Sequence, residues 1–322
     1  MNYLNIEGTI ACLAITFMII AGVVLFTISG KAQTNAEVKN IILVHGAFID
    51  GSGWQGVYQI LTKKGYNVTV TQNSLSSLEA DVETLNRAIE RQDGPVILVG
   101  HSYGGAIITE GGNSDKVAGL VYVAAFQPDE KESALDLAQS SPDLSNGGIL
   151  APDEHGILYY DKAKFHQGFA ADLSKKQAEF MWASQGTFAA QALAAPMTAV
   201  AWKTKPTWAV IATEDKAINP VLQRRMSERS GATVTEVKAS HAVFISQPKI
   251  VAQVIESAAQ GPPMAKNMEK FKIGEGVTVT SGGMKGLYGV VVWYNEKDST
   301  YLIRFTGQQQ LFYTVDQIKY WE

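Results

Sequence analysis

The chain of 322 residues holds a single cysteine, Cys12. One thiol cannot close an intrachain disulfide, and it excludes any cysteine-based metal cluster. Histidine is scarce too, at five residues. His155 and His166 show no ligand spacing and read as surface residues, so no metal site is expected. Basic charge is also short: 27 Lys and Arg face 31 Asp and Glu, giving a net charge of −4 and a pI near 5.8. That balance argues against a nucleic-acid partner, which would need a basic surface. Charge of either sign is missing from Ile10 to Ile28, a run about long enough to span a bilayer. Ahead of it there is no Lys or Arg of the kind a signal peptide favours, yet Gly30-Lys31-Ala32 and Thr34-Asn35-Ala36 supply small residues for cleavage. Two readings of residues 1–36 stay open, a cleaved export signal and an uncleaved anchor. Both put the protein outside the cytoplasm, either periplasmic or secreted, or associated with a membrane through residues 10–28.

What is present is apolar and ordered. Hydrophobic residues make up 46% and charged ones 18%, enough for a large core. From Val38 the pattern alternates strand and helix. Asn40 to Val44, Tyr66 to Thr71, Val96 to Val99, Val117 to Ala125, Pro206 to Thr213 and Thr233 to Lys238 read as strands. Gly56 to Lys64, ended by Gly65, and Ser77 to Gln92, Pro220 to Ser230 and Lys249 to Ala259 read as helices. Strands alternating with helices imply right-handed crossovers and a mostly parallel sheet. The predicted fold class is α/β over residues 37–260. Residues 127–205 interrupt the rhythm with short helical pieces and no obvious strand; they would lie over the strand ends as a lid, with a set of core-packing helices as the alternative. There Tyr159, Phe165, Phe169 and Trp182 suggest an apolar pocket.

Beyond Gln260-Gly261-Pro262-Pro263 the composition changes. Val277 to Thr280, Gly289 to Trp293, Thr300 to Phe305 and Gln310 to Tyr313 are short strands about ten residues apart. Residues 267–322 are expected to form a small SH3-like β-barrel whose aromatics fill its core. It is a candidate recruiter of an unknown partner.

The chemistry concentrates at Gly100-His101-Ser102-Tyr103-Gly104, which follows a buried strand and opens an apolar helix. G-x-S-x-G in the order strand, tight turn, helix is a nucleophile elbow: Ser102 is held in a strained turn so that its hydroxyl stands clear of the sheet. Gly100 and Gly104 lack side chains because strand and helix pass too close there for a Cβ. A serine hydroxyl needs a base, and the base an orienting acid, following in chain order Ser, acid, His. His241 comes after the last strand of the sheet. Asp215 sits just past the preceding one, with Glu214 as its competitor. Oxyanion donors are expected from the amide of Tyr103 and from the loop His45-Gly46-Ala47-Phe48, where Ala47 is favoured and Phe48 is the alternative. His101 reads as a packing residue.

Leu43 to Phe48, Asp50 to Trp54, Gly100 to Gly105, Thr213-Glu214-Asp215 and Ser240 to Phe244 together resemble the α/β-hydrolase superfamily. Within it they are similar to small bacterial esterases, plant methylesterases and hydroxynitrile lyases. The resemblance covers about Val38 to Gln260. It implies Ser102, Asp215 and His241 as a catalytic triad, Ala47 and Tyr103 as oxyanion donors, a small-molecule ester as substrate, and no cofactor. Two alternatives to ester hydrolysis through an acyl-enzyme stand beside it. One is a cofactor-free C–C lyase of the hydroxynitrile type, against which Gly46 stands where such lyases resembling this chain carry Thr. The other is a binding protein with a degenerate hydrolase domain.

Overall fold

The computed structural model describes residues 37–141, 148–261, 271–295, 300–306 and 309–321. The apolar run at residues 10–28, and with it the export or anchor reading, lies outside the described residues.

The first strand, β1 (Asn40–Val44), is buried throughout, as an apolar run shielded on both faces should be. Helix α1 (Gln55–Lys63) follows, and the chain then turns at Gly65, whose φ of +85° suits the glycine that the sequence puts there. Next come β2 (Asn67–Val70), α2 (Leu78–Glu90), β3 (Val96–His101), α3 (Gly104–Gly111) and β4 (Val117–Val123). Ser77 starts α2 by accepting the Ala80 amide N–H at 3.1 Å. The interrupting region contains α4 (Ala134–Gln139), β5 (Ile157–Leu158), α5 (Lys162–Phe169), α6 (Lys175–Ala183), β6 (Phe188–Ala189) and α7 (Ala190–Ala194). β5 and β6 pair antiparallel, a small ribbon that the expectation of a strandless lid missed. Two-residue strands carry no periodicity for a sequence reader to detect. The sheet resumes with β7 (Thr207–Ala212), α8 (Pro220–Arg229), β8 (Thr233–Val237), α9 (Val243–Ser246) and α10 (Pro248–Ala259). Asn219 caps α8 and Pro220 fills its first position.

The strand order is β2-β1-β3-β4-β7-β8, and every neighbouring pair is parallel. Right-handed crossovers running outward from β1 in one direction and from β3 in the other put α1 and α3 on opposite faces. α10 packs with α1, and α2 with α3, so both faces are covered.

The C-terminal residues form an antiparallel sheet of order β12-β11-β10-β9-β13 from β9 (Gly276–Val279), β10 (Tyr288–Asn295), β11 (Thr300–Arg304), β12 (Gln310–Thr314) and β13 (Ile318–Tyr320). Four strands match the sequence expectation and β13 is additional. Among the described residues β12 and β13 do not pair, so the barrel is not closed. Phe271, Tyr301, Phe305 and Tyr313 fill its core as expected. Tyr288, Trp293, Phe312, Tyr320 and Trp321 do not; they are exposed. A bulge between Val291 and Trp293 is part of the reason. In a regular strand those two residues would share a face, and the inserted residue turns Trp293 away from the buried Val291. Trp293 lines up with Leu302 and Phe312 across three strands.

Candidate active site

Because all six strands of the large sheet are parallel, their carboxyl ends share one edge, where open α/β sheets place ligands. β1 and β3 are neighbours whose chains leave in opposite directions, which opens a crevice between the loops that follow them. Those loops touch. A Cβ on Gly46 would lie 2.6 Å from Ser102 Cβ and 2.8 Å from the His101 carbonyl oxygen, so only glycine fits. Ser102 has φ +54°, the strained left-handed turn that the elbow demands. A Cβ on Gly100 would meet the Gly104 carbonyl oxygen at 2.5 Å, and one on Gly104 the Val44 carbonyl oxygen at 2.7 Å. Gly105, which sequence reasoning passed over, is tighter still, with the Phe126 carbonyl oxygen 2.1 Å from its would-be Cβ. Phe48 after β1 at φ +62°, Leu75 after β2 at φ +57° and Ala124 after β4 at φ +44° share the left-handed conformation.

β7 and β8 are adjacent, so the loops after them bring Asp215 and His241 together. Asp215 Oδ2 accepts from His241 Nδ1 at 2.7 Å, and both side chains are fully enclosed. The carboxylate has other donors. Oδ1 accepts the amide N–H groups of Ala217 at 2.8 Å and Ile218 at 2.9 Å, and Oδ2 accepts Gln223 Nε2 at 2.8 Å. Gln223, buried on α8, was invisible in the sequence, since nothing in a helical glutamine announces a partner eight positions upstream. Glu214, the competing acid, faces solvent with Lys238 Nζ 3.6 Å away.

His101 does more than pack. Its Nε2 donates to the His241 carbonyl at 3.0 Å, and its ring lies 4.6 Å from the His241 ring and 4.3 Å from that of Phe244. Burial, reinforced by the neighbouring His241, holds its pKa well below the ordinary histidine value and keeps it neutral. His45 is depressed by burial as well; it accepts the Asn73 amide N–H on Nε2 at 2.9 Å, leaving Nδ1–H to face the Gly46 carbonyl at 2.9 Å. Ala47, Phe48 and Tyr103 are buried around the crevice, and their amide N–H groups have no acceptor among the described residues. The Ser102 hydroxyl likewise makes no hydrogen bond among the described residues. Bonds between nucleophile and base often tighten only when substrate binds.

The depressed histidines predict a pH dependence of stability. Above about pH 6.5 both are neutral, folded or unfolded, and contribute nothing. As pH falls below that value the unfolded chain gains protons that His45 and His101 take up less readily in the fold, so stability is lost. Urea midpoints between pH 7.5 and 5 should fall, and His101→Gln should flatten the slope.

A cavity of about 570 Å³ opens beside these groups. Its walls include Phe126, Leu135, Leu158, Tyr160, Ile218 and Leu222, its polar lining is Gln139, Ser141 and Asn219, and no lining residue is charged. It adjoins the chemistry through three contacts. The Phe126 amide donates to the Ser102 carbonyl at 3.2 Å, the Ile218 amide binds Asp215, and the Tyr160 ring meets Phe48 edge-on at 5.7 Å. The aromatics that suggested a pocket lie elsewhere. Phe165 and Trp182 border a separate hollow shared with Lys162 and Glu179, Phe169 packs on His241, and Tyr159 is exposed.

A parallel sheet covered on both faces, with a strained serine past β3 and a buried Asp–His pair past β7 and β8, defines a hydrolase scaffold. The profile of the alpha/beta hydrolase family matches residues 41–254, and the chain belongs to that family. An alpha/beta hydrolase of Aspergillus novofumigatus is 29% identical over 68% of this chain and 96% of its own length. A pyrethroid hydrolase of Sphingobium wenxiniae is 25% identical over 70% of this chain and 89% of its own. Among solved structures, a pyrethroid hydrolase from Sphingobium faniae superposes with a TM-score of 0.61 at 24% identity, covering 70% of this chain and 98% of its own. Polyneuridine aldehyde esterase gives 0.60 at 20% identity, covering 69% and 99%. These two likenesses are of fold. Together with relatives named methylesterases in Arabidopsis thaliana, the curated proteins place the chain among the ester-cleaving hydrolases.

Proposed function

We propose that the chain hydrolyses small-molecule carboxylic esters through a Ser102–His241–Asp215 triad and an acyl-enzyme. His241 takes the Ser102 proton on Nε2 as Oγ attacks the ester carbonyl, while Asp215 holds the Nδ1–H and steadies the imidazolium. The amides of Tyr103 and Ala47 meet the charge that develops on the carbonyl oxygen. Collapse breaks the ester C–O bond, and His241 returns its proton to the departing alcohol. Water, deprotonated by His241, then attacks the acyl group on Ser102 and frees the acid. The scheme draws on no cofactor. The observation that carries it is the buried 2.7 Å His241–Asp215 contact set behind a serine in a strained turn.

A serine-directed phosphonate should block ester turnover and add its mass to the peptide bearing Ser102. Label on a different serine, with activity lost, would sink the assignment. The uncharged cavity points to a substrate with one neutral, apolar arm. Ala190, on its wall, offers the test: Ala190→Phe should cut turnover of bulky apolar esters at least about tenfold relative to acetate, since a filled pocket excludes volume. Equal losses on both esters would count against the pocket. The same proposal keeps the enzyme outside the cytoplasm on the strength of residues 10–28, and cell fractionation checks it.

A further inference from the structure

His241 is held from two sides. The sheet delivers it at the end of β8, and Asp215 receives its Nδ1–H. From the other side the end of α5 and the turn that leads to α6 reach both residues that flank it. Ser240 gives its amide N–H to Asp172 Oδ2 at 3.0 Å and its hydroxyl to Asp172 Oδ1. Ala242 gives its amide N–H to the Phe169 carbonyl at 3.1 Å, and the Phe169 ring stands edge-on to the imidazole with centroids 4.7 Å apart.

Asp172 is the unusual member. It is exposed, and a carboxylate at a surface turn ordinarily contributes little. Here both its oxygens are committed to Ser240, which is 3% exposed. Local structure does not call for it. Asp161 caps α5, and Ser174 with Gln177 forms the capping box of α6, so Asp172 serves neither helix start. Its hydrogen bonds cross 68 residues of sequence to reach the neighbour of the base.

We propose that Asp172 is a positioning residue for His241: its carboxylate clamps Ser240 and so makes the lid turn part of the mounting of the base. The inference rests on the reading of His241 as the general base. With the clamp gone, Ser240 keeps only its hydroxyl contacts with the Phe169 carbonyl and the Ala242 amide N–H, both at 3.2 Å, and the looser mounting lets the imidazole drift from its register with Ser102. A displacement of about 1 Å in a catalytic group lowers rates by up to roughly a hundredfold. Substrate contacts in the cavity are untouched, because Asp172 and Ser240 do not line it.

The experiment uses the full chain with Asp172→Ala, Ser240→Ala, both together, and Asp172→Asn, assayed on a short p-nitrophenyl ester. Expected are a fall in kcat of about 10- to 100-fold with KM within about twofold, and a double variant no worse than the poorer single one, as for two halves of one contact. Asp172→Asn, which keeps one acceptor oxygen, should recover part of the loss. Titration with a stoichiometric phosphonate separates positioning from folding. The labelled fraction should stay full while the labelling rate falls with kcat. A labelled fraction that drops in step with kcat, an unchanged kcat, or additive losses in the double variant would each overturn the inference. A His241→Ala control that retained wild-type turnover would instead overturn the reading of the site beneath it.

Discussion

Ser102→Ala is expected to lower kcat for ester hydrolysis by about 10⁵- to 10⁶-fold, the scale seen when a serine-protease nucleophile is removed. The fold should survive. Alanine meets the same left-handed backbone that serine already tolerates at φ +54°, and the lost hydroxyl has no hydrogen-bond partner among the described residues. The oxyanion amides and the cavity remain, so weak catalysis above water should persist. Progress curves on p-nitrophenyl acetate, with melting followed by circular dichroism, check both halves. A variant that melts like the parent yet keeps more than about one percent of its rate would mean that another group does the work.

Asp215→Asn should follow, at about 10⁴-fold in kcat, by analogy with the orienting aspartate of serine proteases. Asp215 receives N–H groups from Ala217 and Ile218 on Oδ1, and from Gln223 and His241 on Oδ2. Every neighbour donates, so an asparagine must aim its NH₂ at donors whichever way it turns. Turned toward the imidazole, it forces the tautomer whose proton sits on Nε2, where no proton can be taken from Ser102. Turned toward the backbone, it breaks the loop. Glu214→Gln should change the rate by less than about twofold, since an exposed pair with Lys238 is worth little. The opposite ranking in steady-state assays would move the acid to Glu214.

The four central strands were legible because parallel strands covered on both faces are written as unbroken apolar runs, and because the candidate site residues sit just past strand ends. Ser102, Asp215 and His241 each follow a strand end, which sequence alone can count. What holds them could not be counted. Gln223, Asp172 and the carbonyl-seeking His101 matter through partners 8, 68 and 140 positions away, and ordinary residue types at such distances leave no pattern. The C-terminal sheet failed in a different way. Its strands announced themselves, but one inserted residue in β10 reversed the face of Trp293, and alternation cannot be read through a bulge.

Ser102, Phe48 and Ala124 turn left-handed at the ends of three neighbouring strands. Each such residue costs roughly 1–3 kcal/mol against a relaxed backbone, so half of the six non-glycine residues with positive φ among the described residues put their strain along one edge. Glycine at Phe48 or Ala124 would ease it and, by the same freedom, would blur the positions of the groups that these turns now fix. Selection for heat tolerance and selection for rate therefore pull against each other along this edge, and agree nearly everywhere else in the sheet.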